Sequence, residues 1–201
     1  MRDTSPITDA PRDRLRRLRR IVRLVATISL ISILAIAGVG PFIGPISYSE
    51  GVSAGTTDGR TLYTSDGGDV VAFNQSGDTL WRTTVDSGSE VTGITTDQYG
   101  FIYATSSAGQ VEKLNPSDGA TNWTYTSSKS FRKAGVTNEG IVYAGAQDGT
   151  VTKVDSSGTQ VWTKNYSTGD VWDIAIGPDG GIYIGHENPA VEKLDSDGSV
   201  T

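Results

Sequence analysis

Four tyrosines, Tyr63, Tyr103, Tyr143 and Tyr183, stand 40 residues apart, and the segments around them read TLYTS, FIYAT, IVYAG and GIYIG. The strings GDVVAFN, GQVEKLN, GTVTKVD and PAVEKLD follow each tyrosine, and SGDTLW, DGATNW and SSGTQVW follow three of those. Gly77, Gly119 and Gly158 each lie four residues before a tryptophan: Trp81, Trp123 and Trp162. Landmarks that agree in phase over four units constrain the fold more than any composition does, because a repeated unit must stack on copies of itself.

Each unit divides into four short β-favouring runs separated by Gly, Asn, Asp and Pro clusters that turn strands. In the second unit the runs are 91–96, 101–106, 110–114 and 121–126, with DQYG, SAG and NPSDGA between them. After residue 50 no apolar period of 3.6 appears, which excludes helical solenoids. A period near 40 with four strands predicts an all-β chain: a β-propeller of four-stranded antiparallel blades, with about four blades present. The units start near residues 51, 91, 131 and 171, and the last is truncated, since its tryptophan would fall at position 202. A β-sandwich is the competing fold, but it offers no reason for a fixed phase. Four-stranded blades bury their faces against neighbours, so the tyrosines and tryptophans are expected to pack between blades. The glycine before each tryptophan is expected to form a tight turn into the outer strand.

The string IVYAGAQDGTVTKVDSSGTQVW resembles the repeat of the PQQ-like, or quinoprotein-type, β-propellers. The resemblance covers residues 51–201 and implies that Trp81, Trp123 and Trp162 pack between adjacent blades. One departure is the small residue usual in the third strand: Ala72 keeps it, whereas Lys113, Lys153 and Lys193 replace it. The resemblance also implies a role like that of the propeller lipoprotein that assists outer-membrane assembly. Its enzymatic branch, the quinoprotein dehydrogenases, binds pyrroloquinoline quinone and calcium, often against a vicinal Cys–Cys disulfide. This chain has no Cys, and its acids are scattered in turns. No cofactor, metal set or catalytic residue is therefore expected, with a quinoprotein fragment and a structural cell-surface or virion-envelope protein as alternatives.

Ahead of the repeats, residues 24–46 carry no charge over 23 positions. A bilayer core needs about 20 apolar residues in a helix, so this segment predicts a transmembrane helix. Residues 1–23 hold eight Arg against three Asp, a net of +5, which places that segment in the cytoplasm and residues 47–201 outside the cell. A cleaved signal peptide is the alternative, although the apolar run is longer than such peptides use. Residues 24–201 hold nine Lys and Arg against twenty Asp and Glu, a net of −11. This acidic, Thr/Ser/Asp-rich body resembles proteins of extreme halophiles, of haloarchaeal type, and argues against nucleic acid as a partner.

The most individual positions lie in the first strand of each unit, which lines a propeller's axis. Eleven residues before the tyrosines stand Val52, Thr92, Arg132 and Trp172, and ten before them Ser53, Gly93, Lys133 and Asp173. Arg132, Lys133, Trp172 and Asp173 are therefore the candidate binding face, for a protein partner. The single histidine, His186, is expected in an exposed turn. Asn74, Asn122 and Asn165 head N-x-S/T sequons, with Asn74 favoured because Asn122 abuts Trp123.

Overall fold

The computed structural model describes residues 55–57, 61–166, 169–187 and 191–201. The basic segment 1–23, the apolar segment 24–46, Val52 and Ser53 lie outside the described residues. All regular structure among the described residues is β-strand.

The first sheet contains β1 (Gly55–Thr57), β2 (Leu62–Asp66), β3 (Asp69–Phe73) and β4 (Thr79–Thr84). The second contains β5 (Val91–Thr96), β6 (Ile102–Ser106), β7 (Gln110–Leu114) and β8 (Thr121–Thr126). The third contains β9 (Phe131–Val136), β10 (Val142–Ala146), β11 (Thr150–Val154) and β12 (Gln160–Asn165). The fourth contains β13 (Val171–Ile176), β14 (Ile182–His186) and β15 (Val191–Leu194). Every sheet runs in chain order, and the pairs are antiparallel. Beyond β15, Val200 bridges Leu194, and the Thr201 amide donates to the Lys193 carbonyl at 2.9 Å. The strands of the second unit match the expected runs to within one residue.

The core is divided among the seams between consecutive sheets. One cluster joins Tyr63, Val70 and Trp81 of the first sheet to Val91, Ile102 and Leu114 of the second. A second joins Tyr103 and Val111 to Phe131, Val142 and Val154. A third joins Tyr143 and Val151 to Val171, Ile174 and Ile182. The alternation of the strands explains this arrangement: successive side chains point to opposite faces, and each face meets a different sheet. The middle strands β6 and β10 are buried at every position, as strands covered on both sides must be. The inner strands β1, β5, β9 and β13 pack successively against one another.

The repeated aromatics form one motif used three times. Tyr63 and Trp81 have ring centroids 5.8 Å apart, Tyr103 and Trp123 6.0 Å, and Tyr143 and Trp162 5.9 Å. Each tryptophan then reaches the next sheet. The Nε1–H groups of Trp81, Trp123 and Trp162 donate to the carbonyls of Pro116, Ser156 and Ser196 at 3.0, 3.0 and 3.2 Å. Tyr63, Tyr103 and Tyr143 are buried, whereas Tyr183 of the fourth sheet is half-buried. Gly119 and Gly158 have φ of 71° and 88°, as the tight turn requires. They meet a second demand as well. A Cβ on Gly119 would stand 2.5 Å from the Trp81 ring, and one on Gly158 would stand 2.9 Å from the Trp123 ring.

The lysines at the usual small position lie beside the aromatics without displacing them. Lys113 Nζ is 4.1 Å from the Phe101 ring centroid, and Lys153 Nζ donates to the Ser196 carbonyl at 2.8 Å. Their long aliphatic stems allow this, since the charge can lie at the edge while the methylenes pack.

His186 corrects the expectation of an exposed turn residue. It ends β14, its side chain is 0% exposed, and its Nε2 lies 3.3 Å from Glu192 Oε2. The Tyr166 ring of the preceding sheet covers it, with centroids 6.5 Å apart. The neighbouring turn residues suggested exposure, but a strand end facing a seam is enclosed by the sheet across it.

Candidate functional site

Three equivalent β-bulges shape the inner strands. The β5–β6 ladder passes from Val91, opposite Ser106, to Gly93, opposite Thr105. The β9–β10 ladder passes from Phe131, opposite Ala146, to Lys133, opposite Gly145. The β13–β14 ladder passes from Val171, opposite His186, to Asp173, opposite Gly185. Thr92, Arg132 and Trp172 are the residues left over. A bulged residue escapes the strict alternation of faces, and its side chain can be re-aimed.

All three use that freedom at or near a neighbouring sheet. Thr92 Oγ1 donates to the Phe131 carbonyl at 2.8 Å, tying β5 to β9. Arg132 donates through Nε, at 3.0 Å, and through Nη2 to Asp170 Oδ2, just ahead of β13. The Arg132 guanidinium carbon also lies 4.0 Å from the centroid of the Trp172 ring. Trp172 remains 48% exposed, a high value for so large an apolar side chain.

The neighbouring row holds Gly93, Lys133 and Asp173. Gly93 has a packing cause: a Cβ there would stand 2.9 Å from the Arg132 carbonyl oxygen and 3.1 Å from the Lys133 Cα. Lys133 is half-buried. Asp173 is exposed, and its Oδ1 accepts the Ile174 amide at 3.0 Å. Arg132, Trp172 and Asp170 thus form one contact cluster across the third and fourth sheets. Lys133 and Asp173 directly follow its members along the chain. Asp170 was absent from the expected set because it lies in the connection ahead of β13, where no repeat landmark marks it.

The three sequon asparagines differ. Asn74 Nδ2 donates to Asp78 Oδ2 at 3.0 Å while its Oδ1 accepts the Ser76 and Asp78 amides, both at 2.9 Å. Asn165 Nδ2 donates to the Asp148 carbonyl at 2.7 Å and to Thr150 Oγ1 at 3.2 Å. Asn122 is the extra residue of a second kind of bulge, in β8, and is exposed.

One buried carboxylate lies elsewhere, at the first seam. Glu112 is 7% exposed and accepts hydrogen bonds from Thr124 Oγ1 at 3.0 Å and Thr121 Oγ1 at 3.3 Å. Burial pushes its pKa up, the threonine hydroxyls pull it down, and nearby Asp86 adds a small upward push. At the third seam, burial and the charge of Glu192 push the Tyr166 phenol up to about 12. Among the described residues no three His, Cys, Asp or Glu side chains gather to hold a metal ion.

The family described as "Outer membrane protein assembly factor BamB" matches residues 66–172, more than half of the chain. No curated protein matches. Among solved structures, the computationally designed Ika4 protein is similar with a TM-score of 0.68 at 15% identity, covering 76% of this chain and 96% of that one. The computationally designed Ika8 protein is similar with a TM-score of 0.62 at 16% identity, covering 71% of this chain and 44% of that one. BamB from Moraxella catarrhalis is similar with a TM-score of 0.59 at 17% identity, covering 74% of this chain and 51% of that one. This chain therefore spans about half the length of that BamB. At such identities the likeness concerns the fold, a β-propeller of PQQ-like repeats.

Proposed function

Because this chain belongs to the outer membrane protein assembly factor BamB family of PQQ-like β-propellers, we propose that it is a binding and scaffolding module displayed at a membrane. Its protein partner docks on the end of the inner strands that carries Arg132 and Trp172. The observation that carries this reading is the exposed Trp172 ring, held from one side by the Arg132 guanidinium, which Asp170 anchors in turn. Tryptophan and arginine are the residues most enriched at the energetic centres of protein interfaces, and a ring already held in place loses little freedom on binding. The uncharged segment 24–46 anchors the chain once, with the Arg-rich residues 1–23 inside and the repeats outside. The excess of acids in the body suits a salty exterior, where screening relieves their mutual repulsion.

Site-specific photo-crosslinking in intact cells tests the docking face. A photoreactive residue in place of Trp172 should give a discrete protein adduct that the same group in place of Leu80 does not. Identical adduct patterns at the two positions would remove the binding face from this end. Protease added to intact cells should digest the repeats and spare residues 1–23, whereas a mature secreted protein starting near residue 47 would overturn the anchored topology.

A further inference from the structure

Resting on that docking face, we propose that the element it receives is a basic segment of a partner polypeptide. A Lys or Arg side chain of that segment stacks on the exposed surface of the Trp172 ring, with Asp173 as its counter-charge. One face of the indole already holds a guanidinium at 4.0 Å, so the ring's electron-rich surface is in use for cation binding within the protein itself. That guanidinium is paired with Asp170, which leaves little net positive charge to repel a second cation. The ring is nevertheless 48% exposed.

Asp173 supplies the second element. Its carboxylate is exposed, Oδ1 accepts only the neighbouring Ile174 amide, and no described cation comes within 4.0 Å of it. The wider field has the same sign. Asp86 and Glu90 precede β5, Glu187 follows β14, and residues 24–201 as a whole carry a net of −11. A field of that sign gathers basic segments and turns acidic ones away.

Lys133 opposes this assignment and makes the test directional. It is half-buried and forms no ion pair with a described acid. Removing its charge must tighten a basic ligand and loosen an acidic one.

The full chain in detergent micelles is titrated against two fluorescent, N-acetylated peptides, one of Gly, Ser and Arg and one with Glu in place of Arg. The Arg peptide should bind, and more weakly as NaCl rises. Trp172→Ala and Asp173→Asn should each weaken it about threefold or more, the range of an exposed cation–π contact or ion pair. Lys133→Gln should tighten it. Asp173→Asn keeps the acceptor for the Ile174 amide, and Trp172 is half in solvent, so unchanged thermal melting confirms that both variants fold. Preference for the Glu peptide, lost in Lys133→Gln and Trp172→Ala, would overturn the basic assignment and leave the docking face standing. Arg-peptide binding that responds to salt but not to Trp172→Ala would overturn the stacking contact. Binding of both peptides indifferent to all three substitutions would overturn the docking face itself.

Discussion

The inner-strand and outer-strand bulges, both present in the second and third units, use the same backbone device with different outcomes. At the inner strand the extra residues are Thr92, Arg132 and Trp172, and they bond to or stack on residues at or near a neighbouring sheet. At the outer strand they are Leu80, Asn122 and Val161, each just ahead of the repeated tryptophan. Leu80 and Val161 are 52% and 53% exposed, and Asn122 is exposed too. In both places the bulge releases one residue from the ladder. Where the sheets meet strand to strand, that freedom makes a contact; at the outer strand it serves to re-aim the following tryptophan. A variable residue at the inner bulge can therefore carry recognition, while its outer counterpart is simply tolerated.

The largest expected effect contrasts two tryptophans on either side of that divide. Trp81 is 9% exposed, bonded to Pro116 and packed over Gly119, so Trp81→Ala should cost about 3–5 kcal/mol in chemical denaturation. Trp172→Ala should cost under about 1 kcal/mol, as surface substitutions do. Equal losses would mean that the inner bulge is part of the core, and the division would fail.

Glu112 sharpens the comparison from the seam side. A carboxylate whose folded-state pKa is raised by burial binds its proton more tightly folded than unfolded. The contribution of Glu112 to stability should therefore rise as pH falls through its folded-state pKa, and level off below the unfolded value of about 4.3. Glu112→Gln should stabilise the chain at neutral pH, and by less near pH 4. Thermal melting of both proteins across that range checks it; a gap that widens toward pH 4 would reverse the sign argued here.

Smaller effects separate the bulges directly. Arg132→Ala removes the pairing with Asp170 and the stack on Trp172, and should cost about 1 kcal/mol while increasing quenching of Trp172 by acrylamide. Leu80→Ser should stay within about 0.5 kcal/mol of wild type. A larger loss at Leu80 than at Arg132 would invert the assignment of the two bulges.

How far the chain could be read without its structure follows from particular residues. The tyrosine phase located four units, and alternation with turn chemistry located the strands of the second unit to within a residue. Gly119 and Gly158 were legible as turn glycines, because left-handed φ is a local requirement. Their other duty, leaving room for Trp81 and Trp123, was not legible, because the ring comes from about 35 residues earlier in the chain. His186 was misread for the same reason, since Tyr166 covers it from the previous sheet.

The sequence alone determined the repeat, the strand pattern, the charge asymmetry and the positions at which one unit departs from another. Each of these depends on residues close together in the chain, where side-chain period and turn conformation act. The tertiary structure alone decided that Thr92, Arg132 and Trp172 fall outside their ladders, that Asp170 joins Arg132, and that the Trp172 ring meets the Arg132 guanidinium while staying half in solvent. Those outcomes depend on strand register and on the approach of neighbouring sheets. Neither is encoded by any one unit, because a single residue of slip exchanges the faces of a strand.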